Sequence, residues 1–149
     1  TKPSPPPRPA PVQPAAPVAN YVGAVVAGNL LVVSGQLPIG TNGIAHKGKV
    51  GASVTETQAK EAARLCAINI FAQAKAALGD LGRIRRCIRL GGFVNAVPDY
   101  QTIPQIVNGA SDLMVEVLGD AGKHARYAVG VAQLPLDAPV EVEAMFEVA

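Results

Sequence analysis

The last part of the chain alternates apolar and polar residues, and this pattern limits the fold more than any other feature. One side of the alternation is apolar: Val129, Val131, Val142, Ala144, Phe146 and Val148. A period of two is typical of β-strands that bury one face. Because only residues 134–139 separate the two alternating segments, we predict an antiparallel hairpin that closes between Gln133 and Val140.

The predicted register places Val129 opposite Ala144 on a core face, since apolar side chains must meet on one side of the sheet. The other face then carries Arg126 across from Glu147, with small residues and two further glutamates. A face of small residues with one guanidinium and several carboxylates indicates a surface that meets a ligand or another subunit.

Composition indicates one domain with an aliphatic core, because aromatic residues are few and tryptophan is absent. Apart from Lys2 and Arg8, 11 basic residues balance 11 acidic ones. A neutral body gives little long-range attraction for a polyanion, which argues against nucleic-acid binding. No segment approaches the roughly 18 to 20 apolar residues of a membrane span, and no apolar leader starts the chain. We therefore expect a soluble, cytoplasmic protein without a membrane partner.

Cysteine and histidine spacing predicts neither a metal site nor a cofactor. Cys66 and Cys87 lack metal-ligand spacing, and we expect buried free thiols rather than a disulfide. His46 and His124 are expected to be solvent-exposed.

The chain divides into an arm and a domain. Residues 1–17 contain eight prolines and predict an extended arm, either packed passively along the body or acting as a proline-rich ligand. Residues 18–149 form the domain. It begins with two apolar runs, Tyr21–Val26 and Leu30–Gln36, around Gly28-Asn29, which predicts a hairpin. Residues 37–51 are expected to form a loop.

Two helices and a central strand follow. A capping box at Ser53 opens a helix that runs to about Leu78. Its buried stripe is predicted as Ala59, Ala62, Ala63, Cys66, Ile70, Ala74 and Leu78. Residues 84–97 read as a strand with a bulge or close contact at Gly91-Gly92, and residues 105–118 as a helix that buries Val117.

The resulting order, β-β-α-β-α-β-β, predicts an α+β sandwich with two helices on one face of a mixed sheet. The second sheet face stays uncovered in a single chain, which favours oligomerisation through it.

Several spaced motifs resemble the RidA (YjgF) family of reactive-intermediate deaminases, also labelled endoribonuclease L-PSP. The matching positions are Tyr21-Val22, Gly28-Asn29-Leu30, Ser34-Gly35-Gln36-Leu37-Pro38, Val107-Asn108, Ala125-Arg126, Leu134-Pro135 and Glu141-Val142-Glu143-Ala144. The resemblance covers residues 18–149. It implies a chorismate-mutase-like fold, a homotrimer whose sheets close a central barrel, and ligand clefts between subunits.

The resemblance also implies an activity: hydrolysis of enamines and imines such as 2-aminoacrylate to 2-oxo acids and ammonia, without metal or organic cofactor. Arg126 matches the arginine that binds the substrate carboxylate, and Glu141 matches the glutamate that holds water near the imine carbon. The remaining cleft positions match Tyr21, Ser34, Gly35 and Asn108.

Independently of the resemblance, an arginine and a glutamate are suited to this reaction. A guanidinium offers a planar two-donor fork for a carboxylate, and a carboxylate can orient or deprotonate water. In the predicted hairpin Arg126 and Glu141 lie about 20 Å apart, at roughly 3.3 Å per residue. We therefore expect them to serve one site only from different subunits.

Two departures from the family pattern concern the cleft. Ala128 stands where many relatives have cysteine, and residues 98–104 form a loop about four residues longer than in the best-known deaminases. Tyr100 and Ile103 of this loop are expected to reshape the cleft.

Other functions stay open. A non-catalytic module that binds a 2-oxo acid or another small carboxylate would need the same arginine. An RNA-binding protein or endoribonuclease would use the basic cluster of Arg83, Arg85, Arg86 and Arg89, although no aromatic residues are interleaved to stack bases. Arg126 could also simply pair with Glu147 across the hairpin.

Overall fold

A mixed five-stranded sheet with two helices on one face forms the body of the protein. The computed structural model describes Pro14 and residues 20–149, so the predicted arm, residues 1–17, lies outside the described residues apart from Pro14. The strands are β1 (Ala24–Ala27), β2 (Leu30–Gln36), β3 (Ile39–Gly40), β4 (Gly43–Ile44), β5 (Ile84–Asn95), β6 (Ala125–Val131) and β7 (Val140–Val148). The helices are α1 (Glu56–Leu78) and α2 (Ile103–Leu118). The predicted α+β class and order are confirmed.

The first hairpin is also confirmed. Ala27 pairs with Leu30 across a two-residue turn, where Gly28 has a φ of 60° that a side chain would disfavour. The segment predicted as a loop, residues 37–51, differs in containing the short β3–β4 pair.

Both helices start near, but not at, the predicted residues. The capping box that opens α1 is formed by Thr55 and Gln58, two residues after Ser53. The predicted alanine-rich stripe of α1 is buried throughout. Helix α2 begins at Ile103 because Pro104 is compatible with a first turn, and Val117 is 48% exposed, so its predicted burial is wrong.

The predicted β6–β7 hairpin is wrong. The sheet order is β1-β2-β7-β5-β6, so β5 lies between the two strands. It pairs antiparallel with β7 and parallel with β6, and α2 provides the connection that parallel pairing requires. The alternation had identified strands but not their neighbours.

The face assigned to β6 is wrong as well. Arg126 contacts α2, so the even-numbered residues of this strand point toward the helix, whereas Val129 is 43% exposed on the open face. Gly130 lies beside the helix on the same face, since a Cβ added there would be in ordinary contact with Ile103 Cδ1 of α2, 3.5 Å away.

The open sheet face carries exposed apolar side chains in a single chain. Val25, Val32 and Val129 lie on this face and are 52%, 39% and 43% exposed. We predicted oligomerisation from a second face of small residues that included Ala128 and Gly130, but these two face α2, and the open face carries valines instead. An exposed apolar face still favours oligomerisation, and the homotrimer stays a prediction.

The central strand packs closely where two glycines follow each other. A Cβ on Gly91 would lie 2.3 Å from the Tyr127 ring, and one on Gly92 would lie 2.5 Å from a Val107 methyl group. The predicted close contact is therefore confirmed, while the register shifts of β5 fall earlier, between Ile84 and Arg89.

Both cysteines are buried free thiols, as predicted. Burial raises the pKa of Cys66 well above its ordinary value and that of Cys87 to about 12. Among residues 20–149, neither helix is long and apolar enough to cross a membrane.

Candidate functional site

Arg126 is held in place by helix α2. Its Nη1 donates to Asn108 Oδ1 at 2.7 Å and to Ser111 Oγ at 3.2 Å. Asn108 and Ser111 are three residues apart and therefore share one helix face. The structure thus brings together two of the predicted site residues, Arg126 and Asn108.

Ser111 and His124, which the sequence had not suggested as site residues, extend this cluster. His124 Nδ1 lies 2.5 Å from the Gly122 carbonyl oxygen and therefore donates to it, since a carbonyl only accepts. In a neutral ring, Nε2 then accepts from Ser111 Oγ, 2.9 Å away, while the same oxygen accepts from Arg126. His124 is half-buried, so its predicted exposure is wrong. The three-residue spacing from Asn108 to Ser111 was the signal available in the sequence.

Glu141 lies in a second cluster with Gly35. The register of β2 against β7 shifts between Val33 and Gln36, and this irregularity brings Gly35 over the carboxylate. A Cβ on Gly35 would lie 2.1 Å from Glu141 Oε2. Glu141 is half-buried, and its pKa is raised by burial and, to a smaller extent, by the charge of Glu143.

Ser34 joins this second cluster to the segment after Tyr21. Its Oγ donates to the Val22 carbonyl at 2.7 Å, and its backbone N donates to the Gly23 carbonyl at 2.9 Å. Tyr21 itself is 51% exposed. Ser34 and Gly35 are therefore close to Glu141, and Tyr21 lies one residue before the segment that Ser34 holds.

The open face next to Glu141 carries a polar network. The Tyr127 hydroxyl donates to Glu143, and Arg89 Nη2 lies 3.7 Å from the same carboxylate. Burial, followed by the contact with Glu143, raises the pKa of Tyr127. The phenol lies across Gly91, where a side chain would collide with it. Tyr127 and Arg89 thus hold the Glu143 carboxylate on the same face of β7 as Glu141.

The loop before β7 is fixed by a buried amide. Asn95 is fully buried; its Nδ2 donates to Gln133 Oε1 at 2.7 Å and to the Ala138 carbonyl at 3.2 Å. Lys49 Nζ donates to Asn95 Oδ1 at 2.6 Å. These bonds hold the loop that leads into Glu141, and no motif in the sequence predicted them.

The arginine and carboxylate clusters do not meet within one chain. Arg126 pairs with Leu90 on β5, not with Glu147, so the predicted cross-hairpin pairing is wrong. Through the register Glu141–Phe93–Val129, the Cα atoms of Arg126 and Glu141 are about 14 Å apart, not 20 Å. They also lie on opposite sides of the sheet, because Arg126 faces α2 and Glu141 the open face.

A cavity of about 430 Å³ lies at the end of β6, beside the loop that we predicted to reshape the cleft. Its lining residues are Ala96, Val97, Pro98, Tyr100, Ile103, Gly130, Val131 and Ala132. Tyr100 and Ile103 both line this cavity, and their effect on the ligand cleft stays a prediction.

Within residues 20–149, His, Cys, Asp and Glu side chains do not form a group of three or more that could hold a metal ion. The clusters instead combine a guanidinium, an amide, hydroxyls and carboxylates, which can bind an anion and move a proton.

Comparison with known proteins identifies relatives along most of the chain. The family described as "YjgF/chorismate mutase-like, putative endoribonuclease" matches residues 10–148. Protein TCP17 of Trypanosoma cruzi is 50% identical over 134 residues, which is 89% of this chain and 84% of that protein.

Two solved structures are also similar to this chain in sequence and fold. Atu1372 of Agrobacterium tumefaciens, a protein of unknown function, is 53% identical, with a TM-score of 0.85 over 87% of this chain and 83% of that one. A putative endoribonuclease from Shewanella oneidensis MR-1 is 33% identical, with a TM-score of 0.89 over 93% and 92%. The family match and these identities show that the chain belongs to the YjgF family.

Proposed function

We propose that this protein hydrolyses small 2-imino acids, and the enamines in equilibrium with them, to 2-oxo acids and ammonia. The observation that carries the proposal is the arrangement of Arg126. Among the described residues, both hydrogen bonds of its guanidinium come from Nη1, to Asn108 and Ser111. The Nε–Nη2 edge is then available to hold a carboxylate by two parallel bonds.

The reaction needs one water and no redox step. An enamine first takes a proton from solvent at C3 to become the iminium form of the imine. The water oxygen then bonds to the iminium carbon, the C=N π pair moves to nitrogen, and one water proton passes to Glu141. Glu141 returns that proton to the amino nitrogen. Finally the C–N bond breaks with its electron pair on nitrogen, the C=O bond forms as the hydroxyl releases its proton to solvent, and ammonia leaves. Burial and Glu143, which raise the pKa of Glu141, favour this acid–base role.

Two subunits supply the site in this proposal. Arg126 and Glu141 lie on opposite sides of the sheet, so a small substrate can touch both only if they come from neighbouring chains. A homotrimer that covers the apolar open face would bring such neighbours together. Asn108 then orients the arginine, the Gly35 amide assists at the substrate, and Ser34 and Tyr21 border the cleft.

The test is ammonia release from 2-aminoacrylate generated in solution, with wild type and Arg126→Ala compared. We expect acceleration by the wild type and its loss in the variant. Arg64→Ala is the matched control, since Arg64 pairs with Glu116 on the helix surface at 2.9 Å and should not affect turnover. Equal rates for wild type and Arg126→Ala would refute the proposal.

One observation favours a second candidate, a non-catalytic module that binds small carboxylates. Ala128 removes a thiol beside Arg126 but leaves the carboxylate anchor intact. Binding of pyruvate that depends on Arg126, without turnover of any imine, would select this candidate.

The endoribonuclease label of the relatives gives a third candidate. Three residues of the basic cluster are engaged within the chain. Arg83 Nη2 donates to the Ala149 carbonyl at 2.9 Å, Arg86 Nη2 donates to the Lys123 carbonyl at 3.4 Å, and Arg89 lies beside Glu143. RNA affinity that falls steeply with salt would support this candidate. The free, buried Cys66 and Cys87 support the cytoplasm as the compartment we propose.

A further inference from the structure

The guanidinium of Arg126 is fixed by two bonds from one nitrogen. Its Nη1 donates one hydrogen to Asn108 Oδ1 at 2.7 Å and the other to Ser111 Oγ at 3.2 Å. A single bond would leave the planar group free to swing about that bond, whereas two bonds to separate acceptors define its plane. Ser111 therefore sets the direction in which the Nε–Nη2 edge points, which Asn108 cannot do alone.

The hydroxyl of Ser111 is directed by His124. Ser111 lies in the middle of α2, where a serine often donates its proton to the carbonyl four residues earlier in its own helix. Here Nε2 of the neutral His124 ring, 2.9 Å from Ser111 Oγ, accepts that proton instead. The hydroxyl is thereby turned away from the helix backbone, and its lone pairs are left for Nη1 of Arg126.

His124 is held by the same helix that carries Ser111. Its Nδ1 donates to the Gly122 carbonyl oxygen at 2.5 Å. Gly122 is buried at the end of the 3₁₀ turn Gly119–Gly122, and a Cβ added there would lie 2.2 Å from the Met114 carbonyl oxygen of α2. Because the turn packs directly on the backbone of α2, the chain of hydrogen bonds begins and ends on one rigid element.

Resting on the proposed function, we propose that Ser111 and His124 are positioning residues for Arg126 and act as one relay. The relay holds the guanidinium in the orientation that receives a planar carboxylate, so that little side-chain freedom is lost when the substrate binds. It acts through the arginine and not by contact with the substrate. Its loss should therefore raise KM and leave kcat, which reports the chemical step at Glu141, nearly unchanged.

A double-mutant cycle tests whether the two residues act as one relay. Ser111→Ala removes only the γ-oxygen, and alanine suits a helix. His124→Phe keeps a ring but removes both nitrogens. In calorimetry with pyruvate, we expect Ser111→Ala to raise Kd about tenfold and His124→Phe to raise it at least about threefold. The double variant should bind within about twofold of Ser111→Ala, because the histidine then has nothing left to act through.

Conservative variants separate positioning from packing. Ser111→Thr keeps the hydroxyl, and His124→Gln provides an amide oxygen that can accept from it, so both should bind pyruvate within about threefold of wild type. They also keep the proposal testable if His124→Phe does not fold. His46→Asn is the matched control and should leave Kd unchanged, because His46 pairs with Glu61 of α1 at 3.1 Å and asparagine tolerates its φ of 55°.

The binding and kinetic results separate this proposal from the deaminase assignment. If pyruvate binding weakens in Ser111→Ala and His124→Phe but no imine is hydrolysed, the deaminase assignment fails and the relay stands. If 2-aminoacrylate is hydrolysed in a reaction that needs Arg126, and both variants keep the wild-type Kd and KM, the relay fails alone. Effects that multiply in the double variant would also overturn the relay, since each residue would then act separately.

Discussion

Gly35→Ala tests whether the position of the Glu141 carboxylate matters for turnover. The added methyl carbon would lie 2.1 Å from Glu141 Oε2, whereas ordinary contacts begin near 3.4 Å. The oxygen must therefore move by about 1.3 Å. Because a misplacement of about 1 Å can cost a catalytic group about 10²-fold in rate, we expect kcat for 2-aminoacrylate to fall about 100-fold.

The same change should hardly affect stability. The φ of Gly35 is not in the left-handed region, so alanine fits the backbone and gains about 0.4–1 kcal/mol from the unfolded state. Moving the end of the Glu141 side chain costs about 0.5–1.5 kcal/mol at most in rotamer strain. These terms nearly cancel, and Tm should stay within a few degrees of wild type.

The assay is steady-state oxo-acid formation together with thermal unfolding. Gly40→Ala is the matched control, because its Cβ would meet only a Leu65 methyl group at 3.4 Å. Full activity in a folded Gly35→Ala protein would refute the reasoning, since the carboxylate would then have moved without consequence. A large drop in Tm would show that Gly35 acts through folding instead.

Three further predictions concern the arginine anchor, the buried carboxylate and the helix packing. Asn108→Ala removes the 2.7 Å bond to Arg126 and should raise KM about tenfold or more, with little change in kcat, in steady-state kinetics. Glu141→Gln should abolish turnover yet raise Tm at pH 7. Because the pKa of Glu141 is higher in the folded than in the unfolded protein, protonated Glu141 stabilises the fold at pH values below the unfolded-state pKa. This stabilisation is lost as the pH rises through the folded-state pKa. The difference in Tm between Glu141→Gln and wild type should therefore close below about pH 4. Gly109→Ala would place a methyl 2.1 Å from the Lys60 carbonyl oxygen and should lower the free energy of unfolding in urea by about 1–2 kcal/mol.

Each of these three has a result that contradicts it. An unchanged KM in Asn108→Ala would mean that Ser111 alone orients the arginine. A Glu141→Gln protein that is less stable than wild type at pH 7 would contradict the raised pKa. A Gly109→Ala protein as stable as wild type would show that α1 and α2 can separate freely at their closest approach.

The element order and several faces could be predicted from the sequence because they depend on local chemistry. The alanine stripe of α1 is buried because residues three and four apart share a helix face. The buried face of β7, with Phe146 and Val148, follows from alternation alone. The first hairpin was predictable because Gly28-Asn29 sets the turn. The motifs predicted the family, which the comparisons confirmed, while the site roles stay predictions.

Strand neighbours and the face of β6 were decided only by the tertiary structure. Alternation shows which residues of a strand face the core, but not which strand hydrogen-bonds to it. In the structure, β6 and β7 both pair with the 12-residue β5 and not with each other. The short apolar pattern of β6 misled because Ala128 and Gly130 face α2, while Val129 is left on the open face. The same arrangement sends Arg126 to one side of the sheet and Glu141 to the other. Sequence thus determined which residues are available for chemistry, and long-range packing determined which of them can meet.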